Sequence, residues 1–234
     1  MVKGEYMKKI KTLGIIGGLG PETTARFYME VVFACSKISG NRPQILISNV
    51  AVPLSVEKEL ITEARNEKNI LPFLLNAAKQ LEKGGASFIV IPCNTVHIFI
   101  EEIRKSVNIP VLSIIEETSN FLSKEKIEEI GVFATTATIK NKLFDENLKQ
   151  GGIKMITPED LNQTKMGAII NHLVNNQQTR NDKDEFLRII EDTKVKNIIL
   201  ACTDLQILEP KIDGVNIFDT MDILAKSAVT ELSR

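Results

Sequence analysis

Short unbroken apolar runs, each ending in glycines or small polar residues, recur along the chain. They lie within residues 11–18, 44–49, 88–91, 108–113, 131–134, 153–156 and 197–200, and a last short strand is expected at 212–217. Runs of this length without alternation read as strands buried on both faces, the habit of parallel sheets. Stretches with helical spacing fall between them. In residues 68–83, Ile70, Leu74, Ala77, Ala78 and Leu81 share one face, and Gly84-Gly85 ends the segment. Further helices are expected at 25–36, 98–107, 114–122, 165–175, 182–192 and 220–232, with another ending near Gln150. Strand and helix alternating in this way predict an α/β protein with mainly parallel sheets.

The pattern runs through two cycles. Gly14-Ile-Ile-Gly-Gly-Leu-Gly20 is answered by Gly131-Val-Phe-Ala-Thr-Thr-Ala137. Ile89-Val-Ile-Pro-Cys-Asn-Thr95 is answered by Ile198-Ile-Leu-Ala-Cys-Thr-Asp204. Two pseudo-symmetric α/β lobes follow, with the C-terminal strand ends of both facing one cleft, where open parallel sheets place their ligands. The expected division is residues 1–113 plus 212–234 for the lobe with Cys93, and 114–211 for the lobe with Cys202.

The repeat therefore sets two cysteines on opposite sides of one ligand. Inverting an amino-acid α-carbon needs a base on one face and an acid on the other. A thiolate and a thiol fit that need and exchange roles in the reverse direction. A free thiol titrates near ~8.5, and strand-end or helix-terminal donors bring it lower. The transition state must be stabilised by placed donors. The candidates are Asn94, Thr95, Thr135, Thr136 and Thr203, with the backbone amides of the turn at residues 17–20 around Leu19. That turn has Gly18-x-Gly20-x-x-Thr23 and lacks the third glycine of a dinucleotide fingerprint. A carboxylate suits it better than a nicotinamide cofactor.

Other residues carry paired readings. His97 either tunes Cys93 or caps and packs a helix. Thr135 and Thr136 either bind carboxylate or cap the next helix. Glu116 either bonds within the cleft or faces solvent. Asp204 orients a neighbour in the cleft. Cys35, on the apolar face of the first helix, reads as core, and His172 as surface. Arg42 and Gln44, near a strand start, are expected to stay clear of substrate.

Composition narrows the partners. A net charge of −1 gives no footprint for nucleic acid or an anionic membrane, and no apolar run reaches membrane-span length. The first residues lack a signal-peptide pattern, so a cytoplasmic protein is expected, with Met7 a possible alternative start and the first six residues frayed. Three cysteines without a secretory context read as thiols. Two histidines and no Cys-x-x-Cys pair argue against structural zinc, and no metal is expected.

Several motifs together resemble the aspartate/glutamate racemases, the cofactor-independent amino-acid racemases, from about Lys11 to the C-terminus. They are Gly-Gly-Leu-Gly-Pro-x-x-Thr at 17–24, Pro-Cys-Asn-Thr-x-His at 92–97, Ile-Glu-Glu-Thr at 115–118, Ala-Thr-Thr-x-Thr-Ile at 134–139 and Cys-Thr-Asp at 202–204. The resemblance implies two α/β domains, no cofactor, often a homodimer, and Cys93 and Cys202 as acid and base. Aspartate is the expected substrate, with glutamate or a broader set as alternative. A small-carboxylate binding module and a one-thiol decarboxylase or cis–trans isomerase are alternatives of other classes. The chain departs from the pattern at Leu19, where relatives often have Met, and at Asp204, where they often have Glu. Ala168 and Asn171 stand where relatives commonly carry a basic residue. Lys165, nearly one turn earlier, is a weak substitute.

Overall fold

A computed structural model describes residues 10–61 and 63–234; the expectation about the first six residues lies outside these. Two parallel sheets organise the chain. In the first, β1 (Thr12–Gly17) is central, flanked by β2 (Gln44–Asn49) and β3 (Phe88–Val90). In the second, β4 (Glu129–Phe133) is flanked by β5 (Lys154–Ile156) and β6 (Asn197–Leu200), with β7 (Asn216–Asp219) beyond β6. The orders β2-β1-β3 and β5-β4-β6 are equivalent, so the internal repeat of the sequence is a repeat of the fold. The cysteines follow β3 and β6, the corresponding strands.

Helices cover the sheets: α1 (Pro21–Ser39), α2 (Leu54–Ile61), α3 (Leu71–Lys83), α4 (Ile100–Ser106) and α5 (Ile114–Lys124) in the first half. In the second half come α6 (Thr136–Lys140), α7 (Asp145–Gln150), α8 (Asp160–Val174), α9 (Arg180–Thr193) and α10 (Thr220–Leu232). A single apolar cluster joins Ile15, Phe27 and Val90 to Val132, Ile199 and Leu224, so the two halves share a core. Cys35 is buried in it, as its place on α1 predicts. None of the helices among the described residues is long and apolar enough to cross a membrane.

Three expectations change. The strand expected at 108–113 shrinks to one bridge, Ile89 to Val111. Pro110 accepts from Ile89 N at 2.8 Å, yet proline has no N–H to extend the ladder. The last strand lies at Asn216–Asp219 rather than 212–217 and pairs with β6, so it belongs to the second sheet and not to the first lobe. α10 returns to pack on both α1 and α5. The helix expected after Thr138 is broken into α6 and α7 by a turn with Lys142 at φ 53°.

Candidate active site

Both cysteines are placed by the same local device. Each buried strand ends, the cysteine follows, and a 3-10 turn begins, at Thr95–Phe99 in one half and Thr203–Leu208 in the other. Backbone N–H groups of Thr95 and Val96 point at Cys93; those of Asp204 and Leu205 point at Cys202. The offsets, two and three residues on, are identical. These amides favour a thiolate, but burial outweighs them. Burial first, then the Asp204 and Glu57 charges, pushes Cys93 up to about 12. Cys202 is also raised, by burial, then Asp204, then Cys93 itself. Both thiols are free, and in the unliganded site they are protonated at neutral pH.

The thiols line one cavity of ≈ 10 Å³. That is about the space of a single water, so an amino acid enters only when the walls part. Leu19 and Gly20 of the turn after β1 form one wall, and Asn94, Thr95 and Thr203 contribute from the two cysteine loops. The turn depends on its glycines. Gly18 has φ 88°, and a Cβ on Gly17 would lie 2.4 Å from Thr24 Cγ2. Thr24 Oγ1 accepts from Gly18 N and donates to Gly20 O, each at 2.9 Å, so one turn amide is already engaged.

Hydrogen bonds tie the loops together across the cleft. Thr203 Oγ1 donates to Pro92 O at 3.3 Å. Thr95 Oγ1 lies 3.0 Å from Thr135 Oγ1 and 3.3 Å from Thr138 Oγ1, which is 3.0 Å from Thr135 Oγ1. Asn94 Nδ2 donates to Thr220 Oγ1 at 3.0 Å, leaving the buried Asn94 Oδ1 without a partner. Asp204 accepts from Thr23 Oγ1 at 2.9 Å and from Cys202 Sγ at 3.8 Å. Its carboxyl is raised by burial, and Asp204 is the neighbour that the second cysteine addresses.

The remaining expected residues sit elsewhere. Thr135 caps α6, accepting from Thr138 N, and reaches the site only through Thr95. Thr136 faces α8 near Gly167 and is not on the cavity wall. His97 is buried behind the Cys93 loop. Its Nδ1 donates to Cys93 O at 2.8 Å and its Nε2 accepts from Ile114 N at 3.1 Å. It braces the loop and does not touch the sulfur through either bond. Glu116 chelates Arg104 at 2.8 and 2.7 Å, and Arg104 also donates to Val111 O, so Glu116 fastens α4 to α5 outside the cavity. His172 is partly exposed and bonds Asp182. Lys165 is turned away into an ion pair with Glu185 at 2.7 Å.

Sequence reasoning missed Glu57 and Ile61 of α2 and Val174 at the end of α8, all on the cavity wall. The apolar spacing Val56, Leu60, Ile61 was the available sign of α2, but nothing in it marks a cleft. Thr138 was missed too, although it stands in the Ala-Thr-Thr-x-Thr motif. No Lys or Arg lines the inner cavity among the described residues. Nor is any group of three or more His, Cys, Asp or Glu among them arranged to hold a metal ion.

The profile of the Asp/Glu/hydantoin racemase family matches residues 16–228. The broad specificity amino-acid racemase RacX of Bacillus subtilis is 28% identical over 229 residues, covering 93% of this chain and 96% of its own. The glutamate racemase of Aquifex pyrophilus is 27% identical over 172 residues, 70% of this chain and 65% of its own. Among solved structures, an aspartate racemase homologue from Pyrococcus horikoshii OT3 superposes with a TM-score of 0.75 at 26% identity, covering 96% of this chain and all of that one.

Proposed function

The chain belongs to the Asp/Glu/hydantoin racemase family, and from that premise we propose that it interconverts the enantiomers of a free amino acid by two-base proton transfer between Cys93 and Cys202. The observation that carries this reading is the pair of buried free thiols lining one cavity, each at the mouth of an equivalent strand with the same two amides behind it. One cysteine, as thiolate, takes the α-proton and becomes a thiol. The other, as thiol, delivers a proton to the opposite face and becomes a thiolate. No bond other than those to hydrogen changes, and exchange with solvent restores the starting form. The unpartnered Asn94 Oδ1 is an acceptor suited to the α-ammonium. The hydroxyls of Thr95 and Thr203 become donors to the α-carboxylate, where charge develops, once they turn from Thr135 and from the Pro92 carbonyl. An incoming ammonium also offsets the carboxylate charges, Asp204 at both thiols and Glu57 at Cys93, that add to burial in keeping the thiols protonated.

The reading assigns no cofactor and a cytoplasmic setting, where thiols stay reduced. Aspartate, the substrate expected from the sequence, is favoured by the name of the Pyrococcus horikoshii neighbour and opposed by the charge of the cavity. Its side-chain carboxylate would enter a cavity that already holds Glu57 and Asp204. The broad-specificity name of the RacX relative favours a wider range. The test is α-deuterium incorporation in heavy water with a panel of L- and D-amino acids. Incorporation accompanied by loss of optical activity is expected for at least one amino acid; exchange with none overturns the proposal.

Asp204 acts through Cys202 and is a positioning residue. Asp204→Asn is expected to lower kcat by about ten- to a hundredfold, within the range for a positioned proton acceptor. Its charge raises the Cys202 thiol, so the variant's thiolate appears at lower pH. The thiolate absorbance near ~240 nm and the alkaline limb of kcat/KM must both move toward neutral pH; an unmoved limb refutes the role.

We also propose a homodimer. α1 leaves Met29 and Phe33, one turn apart, at 45% and 59% exposure, and the edge strand β2 leaves Ile47 at 44%. Light scattering on a sizing column is expected to give twice the chain mass, and Phe33→Glu to give the monomer. A monomeric wild type refutes it.

A further inference from the structure

Glu57 is a cavity carboxyl with no partner among the described residues. It stands on α2, half-buried, and among the described residues its carboxyl makes no ion pair and no side-chain hydrogen bond. Burial and the nearby Asp204 charge raise it. A carboxylate left in that state is stabilised by any cation that reaches it, and nothing in the two-thiol chemistry uses it.

Its position gives the cation a direction of approach. Glu57, Ile61 and Val174 belong to the wall of the inner thiol cavity and also to the wall of an outer cavity of ≈ 360 Å³. These three residues form the neck between the two. An amino acid held with its α-carbon between the thiols has one substituent free to leave the site, its side chain, and the neck is the exit. Ile61 and Val174 offer that side chain apolar walls, and Glu57 offers a negative charge beside them. The outer cavity adds Ser55, Asn175 and Gln177. Its one basic wall residue, Lys58, is 65% exposed and 3.9 Å from Glu63, so its charge is largely held in solvent.

On the racemase reading above, we propose that Glu57, Ile61 and Val174 form the side-chain subsite, and that it selects amino acids with an aliphatic stem ending in a cation over aspartate and glutamate. The stem replaces water along Ile61 and Val174. The cationic head meets Glu57. An acidic side chain of either length would instead face Glu57 and Asp204 in a poorly screened neck, a like-charge clash that rejects it.

The experiment compares kcat/KM for α-deuterium incorporation with lysine, ornithine, norleucine, aspartate and glutamate, in wild type, Glu57→Gln and Glu57→Arg. In wild type, lysine or ornithine is expected to exceed both acidic amino acids by about a hundredfold. Glu57→Gln is expected to lose about ten- to a hundredfold with lysine. Norleucine keeps the stem without the charge; because Glu57 also raises the Cys93 thiol, its removal moves the pH profile for every substrate alike, so the subsite is read as a fall of about tenfold or more in the lysine-to-norleucine ratio of kcat/KM. Glu57→Arg should raise the rate with aspartate. Preference of the wild type for an acidic amino acid, or an equal loss by Glu57→Gln across all substrates, overturns the subsite while leaving the racemase standing. Exchange with no amino acid at all overturns the racemase reading and the subsite with it.

Discussion

Cys93→Ala and Cys202→Ala are each expected to abolish racemisation, lowering it by about a thousandfold or more, as for loss of a positioned acid or base. They are not expected to behave alike in exchange. With one thiol removed, the surviving thiolate still faces one side of the α-carbon. It can take a proton from the enantiomer that presents hydrogen to that side and return a solvent-derived deuteron to the same face. Each variant should therefore exchange one enantiomer without inverting it, and the two variants should choose opposite enantiomers. Chiral chromatography with mass detection separates the outcomes. If both variants exchange the same enantiomer, the thiols do not face each other across the substrate. If only one cysteine matters, the one-thiol alternatives return. Folding is not the confounding variable: trimming a buried sulfur removes little volume, and Tm should fall by only a few degrees. The pH dependence follows from the environment. Both thiols are raised, Cys93 to about 12, so kcat/KM should climb from neutral toward alkaline pH without a plateau below ~9.

That pairing was legible in the sequence because a thiol at a strand mouth is a local feature, and the repeat placed two of them in equivalent positions. β1, β3, β4 and β6 were readable for the same reason: each is a buried run closed by polar residues. The neck of the cleft was not. Glu57, Ile61 and Val174 come from α2 and α8, more than a hundred residues apart, and each looks like an ordinary helix position on its own. Their meaning arises only when the two halves close on one another. Glu116 was misplaced by the opposite error. A glutamate at a helix start beside a motif looks available, yet Arg104, twelve residues earlier, takes both of its oxygens. Its carboxyl is held below the usual range chiefly by that guanidinium, which suits a fastener rather than a proton carrier. Thr135 shows a mixed case. It caps α6, as threonine before a helix does, and the same hydroxyl completes the Thr95–Thr138 cluster next to the site.

His97 carries the other large expectation, and it concerns stability. The ring is buried as a neutral imidazole with Nδ1 donating to the Cys93 carbonyl and Nε2 accepting from Ile114 N. Protonation would place a second N–H against the Ile114 amide and a charge in the core. Burial accordingly lowers its pKa from 6.5 to about 4, against smaller opposing contributions such as the Cys93 carbonyl. Between those values the unfolded chain binds the proton and the folded one does not. Stability from this group is complete above pH ~6.5 and is lost as pH falls toward ~4, by roughly 3 kcal/mol in all. For a chain of this length that is about a 5–10 °C fall in Tm. The ordinary loss of carboxylate ion pairs, Arg104–Glu116 among them, begins lower, below the 4.5 of an unshifted glutamate. Asp219, raised to about 7 chiefly by burial, gains its proton in the same range from ~6.5 to ~4.5, so the histidine is isolated by comparing wild type with a variant that lacks the ring. In His97→Gln the neutral amide cannot titrate. Its Tm should be lower at pH 7, because the bridge between the Cys93 loop and α5 is remade imperfectly, but the gap between wild type and variant should narrow as pH falls across that window. Parallel slopes for the two proteins would show that His97 does not set the acid limit. Because the same ring braces the loop that carries Cys93, His97→Gln should also lose kcat at pH 8, where the His97 ring is neutral. A loss there with no change in the alkaline limb separates a brace from a group that tunes the thiol.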